Sequence, residues 1–233
     1  MILLLSAGKP RLLSAFCGAG GDSMGYHRAG FEVTGVDIHP QKRYPFRFIQ
    51  DNALEYIYKH GHEYDVIHTS PPCQTHSKLN NIKAIKASTD VNYLDLVPQT
   101  RALLQLIGKP YVIENVVGAP LLNPTMLCGS MFGLKVYRHR LFESSVLLFA
   151  PPHYPHQDQT PSSGRGPSPK GFISINSGGA WNIPEGYTAA GYKCMAMGID
   201  WMTQKELTES IPPAFTEYIG RQLLAHVTNR RAA

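Results

Sequence analysis

The side chain best suited to chemistry in this sequence is Cys73, held in Ser70-Pro71-Pro72-Cys73-Gln74-Thr75-His76-Ser77. The two prolines fix φ and remove backbone donors, so the turn is stiff. It follows Tyr64-Asp65-Val66-Ile67-His68-Thr69, which reads as a buried strand. A stiff turn at the carboxyl end of a sheet strand is where open α/β folds place reacting groups. Cysteine is the side chain most easily made nucleophilic near neutral pH. Two readings of Cys73 stand side by side: a nucleophile, or a buried structural thiol that packs as a small hydrophobe.

A second group of residues centres on Phe16-Cys17-Gly18-Ala19-Gly20-Gly21. Glycines between a strand and a helix let the backbone approach a ligand closely and accept positive φ. Asp37 ends the next predicted strand, where a nucleoside-binding α/β fold puts an acid on the ribose hydroxyls. Asp51 ends the third strand, placed to accept a hydrogen bond from an adenine amine. The turn is spaced G-x-G-G, unlike the G-x-G-x-x-G of a NAD-binding turn. A glycine turn followed by two strand-terminal acids points to a nucleoside cofactor. Taken singly, the acids would be solvated loop residues.

Metal chemistry is not expected. The cysteines Cys17, Cys73, Cys128 and Cys194 are widely spaced, and no pair has the two-residue gap of a zinc knuckle or redox motif. Free thiols in a reducing cytosol are the default. His153 and His156 have the spacing of a metal-binding pair, but the sequence offers no third ligand beside them.

The elements that must position these residues alternate along the chain. Strands are predicted at Arg11 to Phe16, Phe31 to Val36, Phe46 to Gln50, Tyr64 to Thr69 and Tyr111 to Ile113. Helices are predicted at Asp22 to Ala29, Asn52 to Lys59 and Val97 to Ile107, with Gly30 and Gly108 as stops. This alternation argues for an α/β fold with a doubly wound, mostly parallel sheet. Ala150 to Gly171 is rich in proline, serine and glycine, as a connection or irregular loop would be. Beyond it, Thr203 to Ser210 and Phe215 to Val227 read as helices. The predicted organisation is a catalytic domain at 1–149, a short connection and reduced recognition segment at 150–200, and C-terminal helices at 201–233 that pack back on the first domain.

Composition sets broad limits. A chain of 233 residues with 43% hydrophobic residues can bury a sizeable α/β core. The formal net charge of +5 suits a polyanionic partner without requiring one. The apolar start Met1-Ile2-Leu3-Leu4-Leu5 is too short to span a membrane and has no basic residue before it. No membrane association is expected.

With these residues in view, the chain resembles the cytosine-C5 DNA methyltransferases, which use S-adenosylmethionine. Phe16-Cys17-Gly18-Ala19-Gly20-Gly21-Asp22-Ser23, with Gly25 and Ala29-Gly30-Phe31, resembles the family's cofactor motif. Pro72-Cys73-Gln74 with Ser77 is similar to its catalytic motif, Glu114-Asn115-Val116 to its glutamate motif, and Arg138-His139-Arg140 to its paired-arginine motif. The four occur in the family's order between Arg11 and Phe142.

The resemblance implies a Rossmann-like methyltransferase fold and a set of roles. Cys73 would add to C6 of cytosine, a protonated Glu114 would donate to N3, Arg140 would contact O2, and Arg138 would brace the site. Phe16, Gly18, Ala19, Gly20, Gly21, Asp37, Ile38, Asp51, Pro72 and Ser210 would line the cofactor. Duplex DNA hides the target base, so it would have to be flipped out. The segment Ser77 to Asn92, with Lys78, Lys83 and Lys86, is similar to the family's active-site loop, and its lysines would meet phosphates or water. Double-stranded DNA is the implied partner, with a monomer, a cytoplasmic location and a phage or restriction-modification setting.

Departures from the family are specific. Val136 stands where the paired-arginine motif has glutamine. The recognition region is short, which suggests a short target or a helper protein; Arg165, Lys170 and Trp181 read first as loop charges and a core tryptophan, with DNA contact as the alternative. The closing glycine-asparagine motif is replaced by Glu209-Ser210-Ile211-Pro212-Pro213-Ala214-Phe215. Competing expectations are cytosine-C5 methylation of RNA, transfer of a larger group, and a catalytically silent binding module.

Overall fold

The computed structural model describes residues 8–72, 95–154, 156, 172–175 and 183–232. Seven strands form one sheet: β1 (Arg11–Ala15), β2 (Glu32–Asp37), β3 (Arg47–Gln50), β4 (Val66–Thr69), β5 (Tyr111–Asn115), β6 (Thr125–Leu127) and β7 (Arg140–Ser144). Their spatial order is β3-β2-β1-β4-β5-β7-β6. Strands β1 to β5 pair in parallel, and β7 runs antiparallel to both β5 and β6. The order reverses between β1 and β4, the switch point at which open α/β sheets bind ligands. The helices are α1 (Gly21–Ala29), α2 (Ala53–His60), α3 (Val97–Ile107), α4 (Ala189–Met197), α5 (Gln204–Glu209) and α6 (Pro213–Ala232). No helix among the described residues is long and apolar enough to cross a membrane.

Successive residues of a strand face opposite sides of the sheet, and both sides here are covered. Leu12, Val66 and Val112 pack with Tyr26 of α1 and with Phe215, Ile219 and Leu223 of α6. Their neighbours Leu13, Ile67 and Ile113 pack against Ile57 of α2 and Leu104 of α3. The four-residue spacing of Phe215, Ile219, Leu223 and Val227 gives α6 one apolar stripe. Gly25 lets α1 and α6 meet closely, because a Cβ there would collide with Thr216 Oγ1 and the Pro213 carbonyl. Local signals set the ends of the helices. Asn52 caps α2 by accepting from Leu54 N at 3.0 Å and Glu55 N at 3.2 Å. Gly30 closes α1 in the left-handed region.

Predicted boundaries shift by one or two residues for most elements, as fraying ends do. Elements the sequence reading did not predict are β6, β7 and α4. Strands β6 and β7 are short and polar in part, and their pairing depends on distant partners. A third apolar cluster joins Ala19 and Val136 to Ile175, Ala196, Met197, Ile199, Met202 and Leu207. It seats the C-terminal segment against the glycine turn. Val136, the departure from the arginine motif, is a buried member of this cluster, so an apolar residue suits the position.

Candidate active site

The glycine turn is held from the neighbouring strand. Cys17 N donates to Val36 O at 3.1 Å, and Gly18 N donates to Asp37 Oδ2 at 3.0 Å. The other Asp37 oxygen accepts from His39 N at 2.9 Å. Each carboxylate oxygen has further lone-pair capacity, so these bonds orient Asp37 and leave it able to accept from a ligand. Phe16, Gly18 and Gly20 all have positive φ (56°, 49° and 83°), which turns the chain sharply before α1. Asp51 N donates to Asp37 O at 3.1 Å, tying the ends of β2 and β3 together. Asp51 Oδ1 accepts from Asn52 N at 2.7 Å. Ile38, 60% exposed, is an apolar side chain beside these acids. Among the described residues, nothing lies within 4 Å of where a Cβ on Gly18 would stand. Acids, an exposed apolar residue and an open turn fit a nucleoside.

The C-terminal segment completes this turn. A Cβ on Gly21 would collide with Ser210 Oγ and the Ile211 carbonyl, so glycine is required for the approach. Trp201 Nε1 donates to Ala19 O at 2.9 Å. Sequence reasoning missed Trp201, since nothing local links it to a residue so far back in the chain. Cys17 is buried, and burial followed by the charge of Asp22 pushes its thiol well above the usual range. It is a protonated packing group, in contrast to the role expected of Cys73.

Cys73 and the segment Ser77 to Asn92 lie outside the described residues, as do Arg165, Lys170 and Trp181. The two prolines that precede Cys73 are described. Pro71 is buried, Pro72 is exposed, and Asn115 Nδ2 donates to Pro71 O at 3.1 Å. Glu114, the preceding residue on β5, is buried, and Arg140 Nε lies 2.9 Å from its Oε1. Register explains the pair. Glu114 stands opposite Phe142, so Arg140, two residues along β7, is its diagonal neighbour on the same face. Desolvation raises the Glu114 carboxyl above its ordinary 4.5; Arg140, Arg138 and a hydrogen bond with Ser70 oppose that rise.

A polar chain runs behind Glu114 on this face. Ser70 Oγ lies 3.0 Å from His68 Nε2, and His68 Nδ1 lies 2.9 Å from Tyr26 Oη. A neutral His68 with its proton on Nε2 satisfies both contacts, with Tyr26 as donor to Nδ1. Burial lowers the His68 pKa, which keeps it neutral. Asp22 accepts from Ser14 Oγ, and its Oδ2 lies 3.7 Å from His68 Nε2. Leu12 and Ser14, Val66 and His68, and Val112 and Glu114 are each two apart. The same sheet face is thus apolar along the strands and polar at their carboxyl ends.

Arg138 has φ 41°, an uncommon backbone state for a non-glycine residue. Its guanidinium donates to Ser210 O and Thr208 O, each at 2.7 Å. It therefore clamps the end of α5 to the arginine loop, while Arg140 reaches Glu114. The structure corrects one expectation. His153 and His156 do have further potential ligands beside them, because Cys128 and His139 converge on the same point. No local spacing announces this, since the four residues meet only through the β6–β7 pairing.

The order and direction of the strands define the fold: it is Rossmann-like, as in the solved methyltransferases to which the chain is similar. It is 28% identical over 115 residues to the Type II methyltransferase M.FnuDI of Fusobacterium nucleatum. That match covers 46% of this chain and 33% of the relative, so the chain spans about a third of the relative's length. The structure is similar to S. pombe Dnmt2 methyltransferase, with a TM-score of 0.61, 14% identity, and 94% of this chain and 99% of that one covered. An E. coli prophage-encoded protein assigned as a DNA modification methyltransferase is similar at a TM-score of 0.59, 14% identity and the same coverage. The Entamoeba histolytica methyltransferase EhMeth superposes at a TM-score of 0.53, again at 14% identity and the same coverage. No family model matches the chain.

Proposed function

We propose that this protein transfers a methyl group from S-adenosylmethionine to C5 of cytosine in DNA. The observation that carries the reading is Glu114: a buried carboxyl, raised above its ordinary range by desolvation, beside Arg140 and next in sequence to Asn115, which donates to Pro71 O two residues before Cys73. The names of the M.FnuDI relative and the prophage-encoded structural neighbour support methyl transfer and DNA.

S-adenosylmethionine supplies an electrophilic methyl group, and Phe16, Gly18 to Gly21, Asp37, Ile38, Asp51, Pro72 and Ser210 are the residues that would hold it. The protein's own part is to make cytosine C5 nucleophilic. Cys73, as thiolate, adds to C6 and pushes electrons toward C5. Glu114 donates its proton to N3 as charge develops there, which requires it to be protonated beforehand. Arg140 holds Glu114 in place and presents its remaining donors to the base. Once C5 has taken the methyl group, solvent water accepts the C5 proton, Cys73 leaves as thiolate and N3 returns its proton to Glu114, which restores the aromatic ring. The base must leave the helix to reach this face, at a cost of a few kcal/mol.

The test is expression of the wild type and Cys73→Ala in a host lacking cytosine methylation, with 5-methylcytosine measured in DNA and RNA by mass spectrometry. Signal in DNA from the wild type alone is expected. Signal in RNA only would replace the DNA assignment, and signal from Cys73→Ala would remove the nucleophile. In purified protein, Asp37→Ala should weaken S-adenosylmethionine binding; unchanged affinity would discard the ribose contact.

A further inference from the structure

We propose that Cys128, His139, His153 and His156 bind one zinc ion in a closed structural site that holds the arginine loop in place. The four potential ligand atoms lie within 4.8 Å of one another. His153 Nε2 is 3.1 Å from His156 Nε2, His139 Nε2 is 3.5 Å from His153 Nε2, and Cys128 Sγ is 3.3 Å from His156 Nε2. Tetrahedral zinc with bonds of about 2.0–2.1 Å to nitrogen and about 2.3 Å to sulfur has edges of about 3.3 Å between nitrogens and about 3.6 Å between nitrogen and sulfur. These three observed separations fall close to such edges.

The chemistry of the donors also favours a cation. Three imidazoles meet through the same nitrogen, Nε2. A proton bridges only two of these nitrogens, and protonating more than one ring would set like charges against each other. A metal ion uses all three lone pairs and a thiolate at once. Three imidazoles with one thiolate suit zinc, which is borderline-soft and accepts tetrahedral geometry without preference from its d electrons. Four protein ligands close the coordination sphere and leave no position for a reactive water, which makes the site structural.

The fold builds the site from three places. Leu127 pairs with Arg140 in the β6–β7 ladder, so Cys128 and His139 are the next residues facing one another beyond it. The chain leaving β7 returns with His153 and His156. The surroundings orient these ligands. Ser130 Oγ lies 3.1 Å from Cys128 Sγ, the Tyr137 ring stacks on His156 at 3.7 Å, and Phe172 stacks on Tyr137 at 4.5 Å. Outer contacts of this kind fix ligand orientation in metal sites. His139 sits between Arg138 and Arg140, so the ion would pin the loop that presents both arginines. Zinc binding is measured without substrate or cofactor, so this proposal can fail or hold independently of the methyl-transfer reading.

The experiment is metal analysis of the full chain purified without chelator, by elemental mass spectrometry. About one zinc per chain is expected in the wild type, with most of it lost in Cys128→Ser and in His156→Ala. Because those variants can fail to fold, the chelator-treated wild type is also titrated with cobalt(II). The visible absorption of a tetrahedral, thiolate-ligated cobalt site should appear and be displaced by zinc. Folded wild-type protein that carries no zinc and gives no such spectrum overturns the proposal. So does full zinc content in both variants.

Discussion

Glu114 on β5 and Glu143 on β7 are both buried glutamates facing an arginine, yet the fold treats them in opposite ways. Glu143 accepts three hydrogen bonds. Arg101 on α3 grips it with two parallel bonds, Nε to Oε1 at 2.7 Å and an Nη2 bond to Oε2 at 2.8 Å, and Leu122 N donates to Oε2 at 2.8 Å. Glu114 meets Arg140 and the Ser70 hydroxyl with Arg138 nearby, and its desolvation outweighs them enough to raise its pKa. The two acids project from opposite faces, since Glu143 stands opposite Ile113 and Glu114 opposite Phe142. On the face toward α2 and α3 an ion pair closes the structure. On the other face, at the sheet's carboxyl edge, desolvation raises the Glu114 carboxyl above its ordinary range. Burial alone does not distinguish the two acids; the donors around each do.

The largest test of this contrast is Glu114→Gln, which keeps the shape and removes the acidic proton. Methyl transfer by the purified protein should fall by ~10²–10⁴-fold, the span of general acid–base contributions, with the fold retained by circular dichroism. Activity near the wild-type value would mean that Glu114 is structural like Glu143. Arg101→Ala should do the reverse. It leaves Glu143 buried without its guanidinium and should lower the unfolding free energy in urea by ~3–5 kcal/mol. A loss below about 1 kcal/mol would rank the pair with exposed ion pairs.

Trp201→Phe sharpens the comparison from the cofactor side. Loss of the bond to Ala19 O should cost about 1 kcal/mol of stability and weaken S-adenosylmethionine binding in calorimetry. An unchanged affinity would show that the clamp on the turn serves packing alone. The smallest effect is a pH dependence. The folded state holds the Glu114 proton above 4.5, so the unfolded state ionises first and wild-type stability declines as pH rises past that value. Glu114→Gln should therefore gain stability relative to wild type at neutral pH, with the gap closing as pH falls toward 4.5. A gap that widened on acidification would mean the carboxyl is held ionised.

Much of this arrangement is legible in the chain itself. Paired apolar residues such as Leu12-Leu13, Val66-Ile67 and Val112-Ile113 mark strands covered on both faces, and the stops at Gly30 and Gly108 divide them from helices. Asp37 ends its strand as expected, and the motif residues Phe16 to Gly21, Glu114 and Arg140 gather at one sheet edge. Strands β6 and β7 were not legible. They are short, and no periodic pattern within them exceeds what a loop would show. The partner of Glu114 was legible only as a residue type, because its contact depends on how β7 is registered against β5.

What the sequence determined by itself is therefore local: residue types, the two-residue alternation, the caps, and the order of motifs along one parallel sheet. Tertiary structure decided the antiparallel register of β5, β7 and β6. That register sets Arg140 diagonal to Glu114, and Cys128 against His139 where His153 and His156 return. It is fixed by backbone hydrogen bonds between segments far apart in the chain, and such bonds leave no imprint on the spacing within either segment.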